Sequence, residues 1–203
     1  MNESLCADSG LADPDASIDA AVQPQASLPF NQPVFLVGMM GAGKTTIGRH
    51  LARALGREFL DLDHELEARC GVRVALIFDI EGEEGFRKRE SAALDECSLR
   101  PNIVLATGGG AVLSEENRRM LAQRGVVIYL KASADELFRR VARDRSRPLL
   151  QTADPYQRIC SLLEQRSPLY ESIADITFET GTLSIAQVVR ALVSRLQQHE
   201  VQP

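Results

Sequence analysis

Val34-Phe35-Leu36-Val37-Gly38-Met39-Met40-Gly41-Ala42-Gly43-Lys44-Thr45 is the stretch on which the reading of this chain turns. Its first four residues form an unbroken apolar run, the pattern of a strand covered on both faces in a parallel sheet. The remainder satisfies G-x-x-x-x-G-K-[ST]. Behind it Ile47, Leu51, Ala54 and Leu55 recur at helical spacing, and Gly56 supplies a stop. Strand, glycine-rich turn and helix in that order make an anion cradle, because successive backbone N–H groups and a helix N-terminus face one point. Residues Gly41, Ala42, Gly43, Lys44, Thr45 and Thr46 are therefore expected to bind the phosphates of a nucleotide. Lys44 would reach the β- and γ-phosphates, and the Thr45 hydroxyl would hold Mg²⁺.

Downstream the same texture repeats. Strands are expected at Phe59–Leu62, Ile103–Ala106, Val126–Leu130 and Ala174–Phe178. Helices are expected from His64 to Gly71, Phe78 to Cys97, Ser114 to Gln123, about Ser133 onward, Asp154 to Tyr170 and Ser184 to Gln198. Five strands separated by helices predict a three-layer α/β fold: a parallel sheet with right-handed crossovers, covered on both faces.

The chain has 203 residues, enough for one domain and a tail. Its net charge of −5 comes from 28 acidic and 23 basic side chains. Five of the acids (Glu3, Asp8, Asp13, Asp15, Asp19) lie in the first 32 residues, which hold no Lys or Arg. The body is therefore balanced, which argues against a nucleic-acid binder with a basic face. Residues 1–29 lack periodicity and the charged and apolar regions of a secretory signal, so they are expected to be a disordered acidic leader dispensable for chemistry. The domain proper would span 30–203. No apolar run reaches the roughly 18 residues of a membrane span. Cys6, Cys70, Cys97 and Cys160 are scattered, as are His50, His64 and His199, so neither a disulfide framework nor a zinc site is expected, and unpaired thiols suit the cytoplasm.

Three further places bear on the acceptor of the phosphoryl group. Asp61 and Asp63, two apart at the expected end of the second strand, would leave the same face at the carboxyl edge of the sheet, where ligands bind in open α/β folds. One could position Mg²⁺ through water while the other takes a hydroxyl proton; alternatively, Asp63 only caps the next helix. Gly108-Gly109-Gly110 ends the third strand at that same edge, either because something approaches its backbone closely or because the turn is tight. Arg87 and Arg166 are either solvated helix residues or a pair that grips a small carboxylic acid. Arg139, Arg140, Arg143, Arg145 and Arg147 crowd the segment before Pro148 and read as a solvated helix end or as a lid that excludes water.

Taken in order, GMMGAGKTTIGR (38–49), FLDLD (59–63), IFDIEGEEGFRKRE (77–90), LATGGGAV (105–112), RPLL (147–150) and RSPLY (166–170) resemble the shikimate kinase family from about Phe35 to Leu196. The resemblance implies a nucleoside-monophosphate-kinase-like P-loop fold with strand order 2-3-1-4-5 and a mobile lid at about 141–156. It implies ATP-dependent phosphorylation of the shikimate 3-hydroxyl by a cytoplasmic monomer using Mg²⁺. By position it implies that Asp63 binds the acceptor hydroxyls and acts as base. Arg87 and Arg166 would hold the carboxylate, and Gly108, Gly109 and Gly110 would line the substrate. Arg140 and Arg147 would serve the nucleotide, Arg147 from the lid, and Asp61 would face Mg²⁺ through water. Phe78 and Phe86 would wall the acceptor pocket. Thr180-Gly181-Thr182 falls at the adenine side, with Glu179 where some relatives carry a basic residue. A gluconate kinase of the same fold, whose substrate also bears a carboxylate, and a non-catalytic nucleotide-binding regulator are the competing readings.

Overall fold

The computed structural model describes residues 31–141 and 152–201. The expected leader and Arg143, Arg145, Arg147 and the RPLL segment lie outside the described residues. Five strands form one parallel sheet in the order β2-β3-β1-β4-β5, as the motifs imply. In the centre is β1 (Val34–Val37), all four side chains buried. Its flanks are β3 (Ile103–Ala106) and β4 (Val126–Lys131), with Val34 in register with Val104 and Val126. The outer strands are β2 (Glu58–Asp61) and β5 (Ile176–Glu179). On β5 burial alternates, Ile176 and Phe178 inward, because an edge strand has one covered face. Each large apolar side chain fully buried in the central strands contributes about 1.5–3 kcal/mol.

Around the sheet run α1 (Lys44–Leu55), α2 (Leu62–Cys70), α3 (Val74–Ser98), α4 (Glu115–Arg124), α5 (Ala134–Val141), α6 (Pro155–Glu171) and α7 (Ile185–Val201). Buried Ile47, Leu51 and Leu55 carry α1, which packs with α7 and lies against β2 and β3. Parallel strands put the carboxyl ends of β1, β2 and β3 at one edge of the sheet, and the site is built there.

Local differences from the sequence reading have identifiable causes. The helix α2 starts at Leu62, because the Asp61 carboxylate accepts from the backbone N–H of Asp63 and caps it. Asp61 and Asp63 therefore do not alternate along one strand, and the capping residue is Asp61, not Asp63. Four residues earlier than expected, α3 begins, and it is broken at Gly82 (φ 68°, ψ −176°). A 3-10 turn at Ala111–Leu113 follows the triple glycine, held by Asn117 Nδ2 on the Ala111 carbonyl and Arg118 Nη1 on that of Val112. Strand β5 starts at Ile176, two residues late, because the Asp175 carboxylate accepts from the Val127 N–H at 2.8 Å where a strand carbonyl would otherwise do so.

Candidate active site

The phosphate loop leaves β1 with Gly41 at φ 80° and Gly43 at φ 94°, values that favour glycine and turn successive N–H groups inward. Two bonds close it, Ala42 N–H to the Met39 carbonyl (3.1 Å) and Ile47 N–H to that of Gly43 (2.8 Å). Lys44 Nζ donates to the carbonyls of Gly38 (2.8 Å) and Met39 (3.0 Å), which holds the ammonium over the loop. Beside it Thr45 Oγ1 donates to Asp61 Oδ2 at 2.7 Å. The end of β2 and the helix after β1 thus meet in one hydrogen bond.

On the other side of the loop lies a cleft of about 240 Å³, walled by Ile47, Leu183, Ile185 and Val188. Arg140 borders it and stitches its rim. The guanidinium donates to the Gly181 carbonyl (2.8 Å), Thr180 Oγ1 (3.2 Å) and the Gly41 carbonyl (3.3 Å). The Thr180-Gly181 turn is thereby tied to the phosphate loop, an apolar slot next to an anion cradle. Glu179, opposite Lys131 in the sheet, is exposed outside it.

Toward β2 and β3 the triple glycine is crowded by the protein's own polar groups. A methyl group on Gly108 would fall on Glu90 Oε1, and one on Gly110 on the Arg87 guanidinium. One on Gly109 would press on the phosphate loop, 3.4 Å from Met40 N and 3.5 Å from the Gly38 carbonyl oxygen. None of the three has a positive φ, so what the sequence shows as costly glycine is a requirement for close packing. Asp63, in the first turn of α2 and exposed, has Oδ1 3.5 Å from the Gly108 methyl position.

Both arginines converge on this loop. Arg87 Nη1 donates to Glu90 Oε2 (2.6 Å) and Nη2 to Glu83 Oε1 (3.2 Å). Arg166, 2% exposed, donates to the Gly109 carbonyl at 3.2 Å. Burial and then the like charge of Arg87 hold the Arg166 guanidinium below its usual value, against the pull of the Tyr170 oxygen. For Arg87 burial acts the same way but Glu90 and Glu83 outweigh it, and its value rises. The Nε atoms of both arginines are buried with no hydrogen-bond partner among the described residues. Two inward-facing cations with unmatched donors suit an anion with two oxygens. Phe78 stacks on Phe86 (centroids 4.4 Å apart), and the Arg87 guanidinium lies 5.2 Å from the Phe86 centroid.

Glu90 escaped the sequence reading. It is completely buried, and burial holds its carboxyl above the usual value despite Arg87. Its spacing carried the signal, since Phe86, Glu90, Ala93, Leu94 and Cys97 make one buried stripe in which a charge needs a partner. The walls of the apolar cleft were missed as well, because Ile185 and Val188 fall within the expected closing helix and Leu183 just ahead of it.

A family model described as shikimate kinase matches residues 40–197. The chain is 65% identical over 179 residues to the shikimate kinase of Bordetella avium, covering 88% of this chain and 86% of that one. Among solved structures it is similar to the shikimate kinase of Acinetobacter baumannii in complex with shikimate. There the TM-score is 0.82 and the identity 45%, over 84% of this chain and 96% of that one. A gluconokinase from Sinorhizobium meliloti shares the fold at TM-score 0.57 and 17% identity, over 85% and 97% of the two chains.

Proposed function

The chain belongs to the shikimate kinase family, and on that premise we propose how its residues share the ATP-dependent phosphorylation of shikimate. One observation supports the division best. Two guanidiniums, that of buried Arg166 and that of half-buried Arg87, meet over Gly108–Gly110 at the same sheet edge as the phosphate loop. Each charged hydrogen bond to a carboxylate is worth about 1.5–3 kcal/mol, so an acid is favoured strongly over a neutral polyol of the same size. Shikimate bound there by its carboxylate turns its hydroxyls toward Asp63. Asp63 orients the 3-hydroxyl and accepts its proton as that oxygen bonds to the γ-phosphorus and the bond from this phosphorus to the departing ADP breaks, although a loose transition state asks little of a base.

Gly41 to Thr46 hold the phosphates through backbone N–H groups, and Lys44 turns from the Gly38 and Met39 carbonyls to the β- and γ-oxygens. The cleft beside Arg140 takes the adenosine. Arg147 completes the nucleotide side from the lid, a role that lies outside the described residues. The Thr45 hydroxyl and the Asp61 carboxylate are hard oxygen donors 2.7 Å apart, a set that fits Mg²⁺, with Thr45 holding it directly and Asp61 through water. When bound with ATP, the ion supplies charge neutralisation on the phosphates. Residues 1–29 stay outside this machinery, the domain of 30–203 acts as a monomer in the cytoplasm, and it needs no nucleic-acid or membrane partner. No helix among the described residues is long and apolar enough to cross a membrane. A coupled ADP-release assay with Mg-ATP and either shikimate or gluconate tests the reading. Turnover is expected with shikimate alone, and a signal with gluconate alone would overturn it.

A further inference from the structure

Tyr170 has no part in the roles above, yet it sits at the joint between the two halves of the site. It lies one helical turn after Arg166 in α6 and is completely buried. Its ring stacks on Tyr129 of β4, with centroids 5.0 Å apart and 26° between the planes. Its hydroxyl donates to the Gly109 carbonyl, and the same oxygen lies 3.8 Å from Met39 Sδ. Gly109 is consequently a node. Its carbonyl receives both Tyr170 and Arg166, while a methyl group on its α-carbon would meet the backbone of Gly38 and Met40. Met39 belongs to that phosphate loop, and its carbonyl is one of the two that hold Lys44. A continuous set of contacts runs from Arg166 through Gly109 and Tyr170 to Met39 and Lys44.

We propose that Tyr170 is a positioning residue that couples the acid-binding Arg166 to the phosphate loop through the Gly109 carbonyl. The inference rests on the reading of Arg166 as a contact for the acceptor's carboxylate. Arg166 has two acceptors to serve once the acid binds, the carboxylate and Gly109. If it turned wholly to the acid, a buried carbonyl would be left unpaired, which is costly. The Tyr170 hydroxyl keeps that carbonyl satisfied, so the arginine can be shared without loosening the glycine loop. The same bond holds Gly109 against Gly38 and Met40, and so fixes the distance between acceptor hydroxyl and phosphate, where displacements of about 1 Å are felt as 10²-fold in rate. Occupation of one subsite should in consequence change the affinity of the other.

The test uses the full chain, with Tyr170→Phe as the variant and Tyr129→Phe as a control for the stack. The Tyr129 hydroxyl is buried and has no hydrogen-bond partner among the described residues, so its loss removes no bond to the loop. Initial rates over both substrates are combined with calorimetric titration of ADP with and without shikimate. Tyr170→Phe is expected to lower kcat/KM for shikimate about tenfold and to leave ADP affinity in the absence of shikimate within twofold. Coupling between the two ligands, expected at about fivefold or more in the unmodified chain, should fall toward one. Tyr129→Phe should keep all three quantities. With no tryptophan in the chain, near-ultraviolet circular dichroism reads the tyrosines. Saturating shikimate should perturb their band in the unmodified protein, a readout that needs no variant. The proposal is overturned if Tyr170→Phe keeps its coupling and kcat/KM, if Tyr129→Phe loses as much, or if the tyrosine band stays flat. An unmodified chain that fails to turn over shikimate would instead overturn the reading beneath it.

Discussion

Thr45 and Asp61 share one hydrogen bond of 2.7 Å across the gap between α1 and β2, while the second oxygen of Asp61 caps α2 through the Asp63 N–H. One carboxylate therefore fixes the hydroxyl beside the phosphate loop and the helix that carries the proposed base. Loss of the cap costs about 0.5–2 kcal/mol, a structural effect separable from any effect on magnesium.

The separation can be made with two variants. Asp61→Asn keeps one oxygen to accept from the Asp63 N–H and turns an amide N–H to the Thr45 hydroxyl oxygen, so it should fold normally yet need several-fold more Mg²⁺ for half-maximal rate. Asp61→Ala should add a lower melting temperature. Initial rates against Mg²⁺ at fixed ATP decide the matter: an unchanged requirement in Asp61→Asn would leave Asp61 with the cap alone.

Arg166→Ala should raise KM for shikimate about 10- to 150-fold, the range of one charge-assisted bond, while KM for ATP stays within about twofold. Equal losses for both substrates would mean that the residue serves the loop and not the acid.

Glu90 gives a pH dependence with two opposite signs. Burial holds its carboxyl above the ordinary value of 4.5. The protonated form is the one that the folded state favours, so this group stabilises the fold fully below the ordinary value. That contribution is lost as pH rises through the raised one. Arg87, by contrast, is held by the ionised form. KM for shikimate should therefore climb as pH falls through the raised value, and Glu90→Gln should flatten that limb. Persistence of the limb in Glu90→Gln would assign it to another group.

Gly110→Ala should cut kcat/KM for shikimate at least tenfold, because its methyl group would displace the Arg87 guanidinium. Far-ultraviolet circular dichroism should be unchanged, since Gly110 has an ordinary backbone conformation (φ −102°). Wild-type kinetics in this variant would show that Arg87 can move without consequence.

A chain lacking residues 1–29 should turn over shikimate at the full rate, since these residues carry none of the assigned groups. A large drop in kcat would give them a part in the chemistry.

The sheet was legible because β1, β3 and β4 are short apolar runs, and parallel topology sends their carboxyl ends to one edge. The phosphate loop was legible because its spacing is itself the mechanism. Less visible was anything that depends on two distant segments meeting. Arg87 and Arg166 are 79 positions apart (166 − 87) and look like surface arginines until both are seen over the triple glycine. Period-2 reasoning placed Asp61 and Asp63 on one face, and failed because a side-chain cap turned strand into helix between them. Tyr170 was quoted within a motif without a role, since what it does depends on a backbone carbonyl 61 residues away.

The break in α3 at Gly82 has a bearing on how such a pocket can diversify. A side chain there would meet nothing, and only its left-handed backbone demands glycine. Phe78 precedes the break, whereas Phe86, Arg87 and Glu90 follow it. Phe78 can thus be re-angled around that elbow while Phe86 and the cation seated on Gly110 stay in place. Size preference and charge preference are separable traits in this scaffold, open to change one at a time.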